Sequence, residues 1–112
     1  MSIERRFHPR KDVSFSVSIV LTTSELNIES TAVNLSRSGI QLSVDKTSVD
    51  LILEQGTHPT QFKIQLTDNN VDLFTVRLVV NRRISQNQFL LGLKFIDISV
   101  EQLATIDTLL NH

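Results

Sequence analysis

Val13-Ser14-Phe15-Ser16-Val17-Ser18-Ile19-Val20-Leu21 decides the fold class. Apolar side chains at 13, 15, 17, 19 and 21 alternate with serines at 14, 16 and 18. A period of two sets one face of a strand on a core and the other toward water. Thr23-Ser24-Glu25 breaks the pattern, and the same rhythm recurs along the chain. A second extended run covers about Asn27 to Leu35, and Ile40, Leu42 and Val44 resume the alternation after Ser36-Arg37-Ser38-Gly39. Phe62, Ile64 and Leu66 form a short strand closed by the turn-rich Thr67-Asp68-Asn69-Asn70. Phe74, Val76, Leu78 and Val80 predict another inward row, with Thr75, Arg77, Val79 and Asn81 opposite. Ser85 to Gln88 reads as a hairpin loop, and Phe89, Leu91, Leu93 and Phe95 supply the last row. Thr47 to Gln55 fits a strand through Val49, Leu51 and Leu53, or a helical turn through Val49, Ile52 and Leu53.

The period changes at the C-terminus. Ser99 and Gln102 have capping-box spacing, and Ile98 and Leu103 are placed as a hydrophobic staple. Leu103, Ile106, Leu109 and Leu110 then line one face of a helix ending near Asn111. Six strands with hairpin-length connections and no βαβ rhythm predict an all-β fold. Its most economical form is a six-stranded antiparallel β-barrel with a C-terminal α-helix. One domain over 1–112 is expected, with 4–12 a flexible basic arm, 13–97 the barrel and 99–111 the helix.

Composition narrows the chemistry. The formal net charge of -1 provides no global basic field for duplex nucleic acid. With no cysteine there is no disulfide, zinc–thiolate site or thiol nucleophile. His8, His58 and His112 are scattered without helical spacing or a carboxylate cluster, so neither a metal site nor catalysis is expected. Gly39, Gly56 and Gly92 form no phosphate-cradling loop. The absence of an apolar leader and of any membrane-length run predicts a cytoplasmic protein. Six Phe with no Tyr or Trp weigh against carbohydrate and single-strand platforms.

Two stretches depart from plain strand-and-turn sequence. Glu4-Arg5-Arg6-Phe7-His8-Pro9-Arg10-Lys11 holds four of the chain's eleven Lys and Arg residues. Pro9 biases this stretch toward an extended path. Arg6 and Arg10 then project from one side about 13 Å apart, a span suited to two guanidinium groups closing on a bulky anion. On its own the stretch reads equally as a solvated basic N-terminus. Asn34-Leu35-Ser36-Arg37-Ser38-Gly39 reads first as a tight connection, with Asn34 and Ser36 bonding local backbone and Gly39 free to take a positive φ.

Together, in this order and about thirty residues apart, Arg6-x-x-x-Arg10 and Asn34-x-Ser36-x-x-Gly39 resemble the two signatures of the PilZ domain family, RxxxR and [D/N]xSxxG. The resemblance extends over the chain through Val80-x-Arg82, Gly92-Leu93-x-Phe95 and the closing helix. It implies a six-stranded barrel that binds cyclic di-GMP. Arg6 and Arg10 would hold phosphate and guanine edges, and Arg5 would add charge and a stacking surface. Asn34 and Ser36 would make polar contacts to a guanine, and Gly39 would shape the turn. Asn stands where many members carry Asp.

The chemistry of the side chains agrees. Guanine offers O6 and N7 as adjacent acceptors for a planar guanidinium, and arginine stacks on purine faces. Binding requires no cofactor and no metal. The resemblance further implies a downstream protein partner in motility, adhesion or exopolysaccharide control. Two alternatives stay open: a non-binding adaptor of the same family, and an OB-like single-strand binder using Arg77, Arg82 and Arg83.

Overall fold

In the computed structural model, residues 9–21, 26–55, 59–66 and 72–111 are described. Their elements run β1 (Lys11–Leu21), β2 (Leu26–Leu35), β3 (Gly39–Val44), α1 (Lys46–Leu53), β4 (Gln61–Gln65), β5 (Phe74–Ser85), β6 (Gln88–Ile96) and α2 (Val100–Leu110). The strands close into a barrel in the order β1-β2-β3-β6-β5-β4, every pair antiparallel. The closing seam is short: Ser18–Val20 of β1 against Gln65–Lys63 of β4.

The alternating rows meet inside. Val17, Ile19, Leu21, Leu42, Ile64, Phe74, Val76 and Leu91 are at most 1 % exposed and belong to one core cluster. Val13 and Phe15, at the head of the decisive strand, are half-buried against it. Phe74 and Phe95 pack with ring centroids 5.8 Å apart and planes tilted by 53°, an aromatic contact that adds to area burial.

The ambiguous 47–55 segment is a helix, α1, over Lys46–Leu53. Asp45 stands outside it in extended conformation and accepts the Ser48 N–H at 2.8 Å, satisfying a donor that a helix start leaves open. Hydrogen bonds from the Ser48 side chain and backbone hold the Asp45 carboxyl below its ordinary value. Val49 and Ile52 are buried, so helical spacing and not alternation chose the inward residues.

α2 carries the expected capping box. Ser99 Oγ accepts from Gln102 N at 3.0 Å, and Gln102 Oε1 accepts from Ser99 N at 3.2 Å. Gln102 Nε2 also donates to the Leu73 carbonyl at 3.1 Å, tying the helix to the start of β5. Ile106 is fully buried in the core, and Leu109, Leu110 and Ile98 are partly buried against the same core cluster.

Three details differ from the sequence reading. Val80 leaves the inward row: it is 47 % exposed and its neighbour Val79 is 60 % exposed. The β5–β6 register shifts between Leu78 and Val80, where one extra β5 residue faces Gly92, and such a bulge ends an inward row. Lys11 and Asp12, assigned to the arm, are the first residues of β1 and pair with Leu35 and Asn34. Gly39 lies outside the left-handed region and is required for a different reason, given below.

Candidate functional site

The turn between β2 and β3 is built around one hydroxyl. Ser36 is 3 % exposed, and its Oγ accepts the N–H groups of Ser38 at 3.2 Å and Gly39 at 3.1 Å. Ser36 N donates to the Gly39 carbonyl at 2.9 Å. A short polar side chain is needed there because it replaces the ladder bonds that a tight reversal cannot make. The turn is also stitched to β6 by Phe95 N, which donates to the Ser38 carbonyl at 3.0 Å.

Glycine is needed at 39 because the chains approach closely. A Cβ at that position would stand 2.4 Å from the Leu93 carbonyl oxygen. The expected positive φ is therefore replaced by contact with β6 backbone as the cause.

Arg10 comes from the residue before β1, 26 positions upstream of Ser36, and meets the turn across a shared pocket. The pocket holds about 230 Å³, with Arg10 and Lys94 at its edges, Ser36, Ser38 and Gly39 on one wall, and Val79, Val80 and Gly92 on another. Arg10 and Lys94 are both exposed. Three strand irregularities converge on this end of the barrel. They fall between Asp12 and Phe15 in β1, Ala32 and Asn34 in β2, and Leu78 and Val80 in β5. Bulges of this kind re-aim side chains next to sites.

Asn34 sits directly after the β2 bulge, paired with Asp12 on one side and Gln41 on the other. It is half-buried and does not line the pocket. Arg5 and Arg6 lie outside the described residues, as do His8, His58 and His112. The structure thus brings together Arg10, Ser36 and Gly39 from the six candidates.

Sequence reasoning missed Ser38, Gln41, Val79, Val80, Gly92 and Lys94. Two signals were available. Val79-Val80 puts two apolar residues side by side in an alternating strand, and a glycine inside a strand often marks a bulge or close approach. A Cβ on Gly92 would stand 3.0 Å from the Val80 Cβ.

α2 is fastened to both motif regions. Arg37 Nε, within the turn, pairs with Asp107 at 3.0 Å. Lys11 Nζ, next to Arg10, donates to the Leu110 carbonyl at 2.8 Å near the helix C-terminus, where a cation also complements the helix dipole.

Among the described residues no group of His, Cys, Asp and Glu could hold a metal ion. No helix among them is long and apolar enough to cross a membrane. Five of the six Phe are described: Phe62, Phe74 and Phe95 are buried, Phe15 and Phe89 half-buried.

Residues 4–112 match the family model described as PilZ domain. The chain belongs to the PilZ family. No curated relative matches this PilZ chain in sequence. Among solved structures it is similar to the K. pneumoniae MrkH–c-di-GMP complex, with TM-score 0.70 and 12% identity over 97% of this chain and 52% of that one. The Bacillus subtilis inhibitor of motility MotI/DgrA gives TM-score 0.60 at 14% identity over 93% and 48%. The PilZ domain of YcgR from Escherichia coli, solved with c-di-GMP, gives 0.58 at 12% identity over 93% and 87%. The PilZ chain spans about half the length of the first two, and at these identities the likeness shows the shared barrel.

Proposed function

We propose that this PilZ domain is a cyclic di-GMP receptor that binds without turnover and signals to a protein partner. The observation that carries the reading is the meeting of Arg10 with Ser36 and Gly39 on one pocket. These residues come from two motifs far apart in sequence. The β1–β2 pairing, with Lys11 opposite Leu35, sets position 10 beside the turn, and the core does not require that the exposed residue there be an arginine. Two relatives of the same fold were solved with c-di-GMP, which supports the choice of ligand.

Arg10 supplies a planar fork for a phosphate or for guanine O6 and N7. Arg6 is assigned the matching role from the other motif position, and Arg5 a neighbouring charge and stacking surface. Ser36 and Gly39 form the wall against which a base lies. Asn34 sets the turn's entry through its place after the β2 bulge. The downstream process, whether motility, adhesion or exopolysaccharide control, belongs to the same proposal. A single-strand binder would need an exposed stacking platform, and no described Phe is exposed.

Calorimetric titration of the purified, cooperatively melting protein with cyclic di-GMP tests the reading. Saturable heat is expected, weakened about 5- to 150-fold by Arg6→Ala, each lost bidentate contact counting roughly 1–3 kcal/mol. A folded wild-type protein that gives no binding heat overturns it and leaves the adaptor alternative.

A further inference from the structure

β5 outruns its neighbour. β4 has 5 residues and β5 has 12. β4 pairs with Phe74–Arg77, and the last bond on that side runs from Leu78 N to the Thr60 carbonyl at 2.9 Å. From Val79 to Ser85, β5 keeps only β6 as a partner among the described residues. Every residue in this span is exposed. Three of them, Val79, Val80 and Ile84, are large, β-branched and about half or more exposed. Among the described residues this stretch of β5 therefore has one edge that pairs with no other strand, and there the Ser85 carbonyl accepts from Arg83 Nε at 3.0 Å.

The charge on this hairpin is one-sided. Residues 74–96 contain Arg77, Arg82, Arg83 and Lys94 and no Asp or Glu, in a chain whose net charge is -1. Arg82 and Arg83 fall in the middle of the open edge. A second copy pairing antiparallel about that middle would set arginines opposite arginines, and like charges opposite each other are destabilising. The edge is thus guarded against self-association while it favours a strand of opposite charge. Nucleic acid fits less well, because the apolar groups offered are β-branched aliphatics and no described aromatic is exposed.

We propose that the β5 edge from Val79 to Ser85 docks an extended, acidic segment of a partner protein, which adds to the barrel as an extra strand. Main-chain bonds to the free edge supply adhesion, as in other strand additions. Carboxylates facing Arg82 and Arg83 set the choice of partner, and aliphatic side chains cover Val79, Val80 and Ile84.

The probe is a short fluorescein-labelled peptide alternating valine and glutamate, with anisotropy read at low and physiological salt. Tighter binding than to the valine–lysine peptide is expected, by about tenfold or more, weakening as salt rises. Amide exchange should slow across 79–85 and remain unchanged in β1 and β2. Arg82→Glu with Arg83→Glu should reverse the preference between the two peptides while cyclic di-GMP affinity and melting temperature stay at wild-type values. A valine–glutamate peptide N-methylated at alternate residues should not bind, since one edge of its backbone is blocked. Four results overturn the proposal. They are no slowing at 79–85, equal binding of the N-methylated peptide, a single-stranded oligonucleotide protecting 79–85 at lower concentration than the peptide, and a concentration-dependent dimer that protects the edge with no peptide present.

Discussion

The two sides of the pocket are made differently. The Ser36–Gly39 side is part of the fold: its hydroxyl is buried, its backbone is bonded internally and to β6, and its glycine is wedged against the Leu93 carbonyl. Arg10 stands beside it, exposed, one residue before β1 begins. Preorganisation belongs to the turn, while the charge comes from exposed side chains beside it, Arg10 before β1 and Lys94 on β6. A ligand meets a wall whose shape is already fixed, so little ordering cost falls on the turn. Changes on the turn side should therefore cost stability as well as affinity, and changes at Arg10 affinity alone.

Ile106→Asp has the largest expected effect and asks how far the turn side depends on the helix behind it. A carboxylate at a fully buried position combines lost packing with an unpaired charge, about 3–5 kcal/mol. Thermal melting should show the loss, while the ligand affinity of the folded fraction stays nearly constant. An equally stable variant would mean that α2 does not hold the barrel.

Gly39→Val comes next, because it drives a branched side chain into the β6 backbone. Overpacking of this kind costs about 1–3 kcal/mol, and affinity should fall with stability. If affinity alone falls, the turn is not part of the fold's framework and the comparison fails.

Arg10→Ala sharpens the other side. Cyclic di-GMP binding should weaken about 5- to 150-fold with no change in melting temperature. Arg10→Lys should not restore it, since an ammonium lacks the planar fork. Calorimetry paired with melting separates the two outcomes.

Ser36→Ala leaves two turn N–H groups without their acceptor and should cost about 1 kcal/mol of stability. A smaller loss of affinity should accompany it, read by urea titration and calorimetry together.

Asp45→Ala, at the start of α1 and away from the pocket, serves as the control. Loss of an N-cap costs about 1 kcal/mol, with affinity unchanged. The folded carboxyl lies below its ordinary value. Its contribution is therefore present above the unfolded value near about 4 and is lost as pH falls through the folded one. The gap between wild type and variant should narrow on acidification and stay constant toward neutral pH.

Much of this molecule could be read before it was seen folded. The serine–apolar alternation of β1 and the matching rows in β3, β4 and β6 determine the barrel's inner face, because a strand's side chains can only alternate. Ser99 and Gln102 determine where α2 begins, because an unfilled helix start selects for those two side chains at that spacing. The two motifs, standing in order, pointed to the family that the match over residues 4–112 shows. Chain segments that obey two periods at once stayed open: α1 became a helix only because Val49 and Ile52 found the core together. Val80 leaves its predicted row because β5 must bulge opposite Gly92, a fact that resides in β6. Gly39 is glycine because of the Leu93 carbonyl, 54 positions further on. Local propensity acts over a turn or a strand and is written in sequence. Bulges, close backbone approaches and a strand edge left uncovered by a shorter neighbour are set by which segments pair and in what register, and the tertiary structure alone decided those.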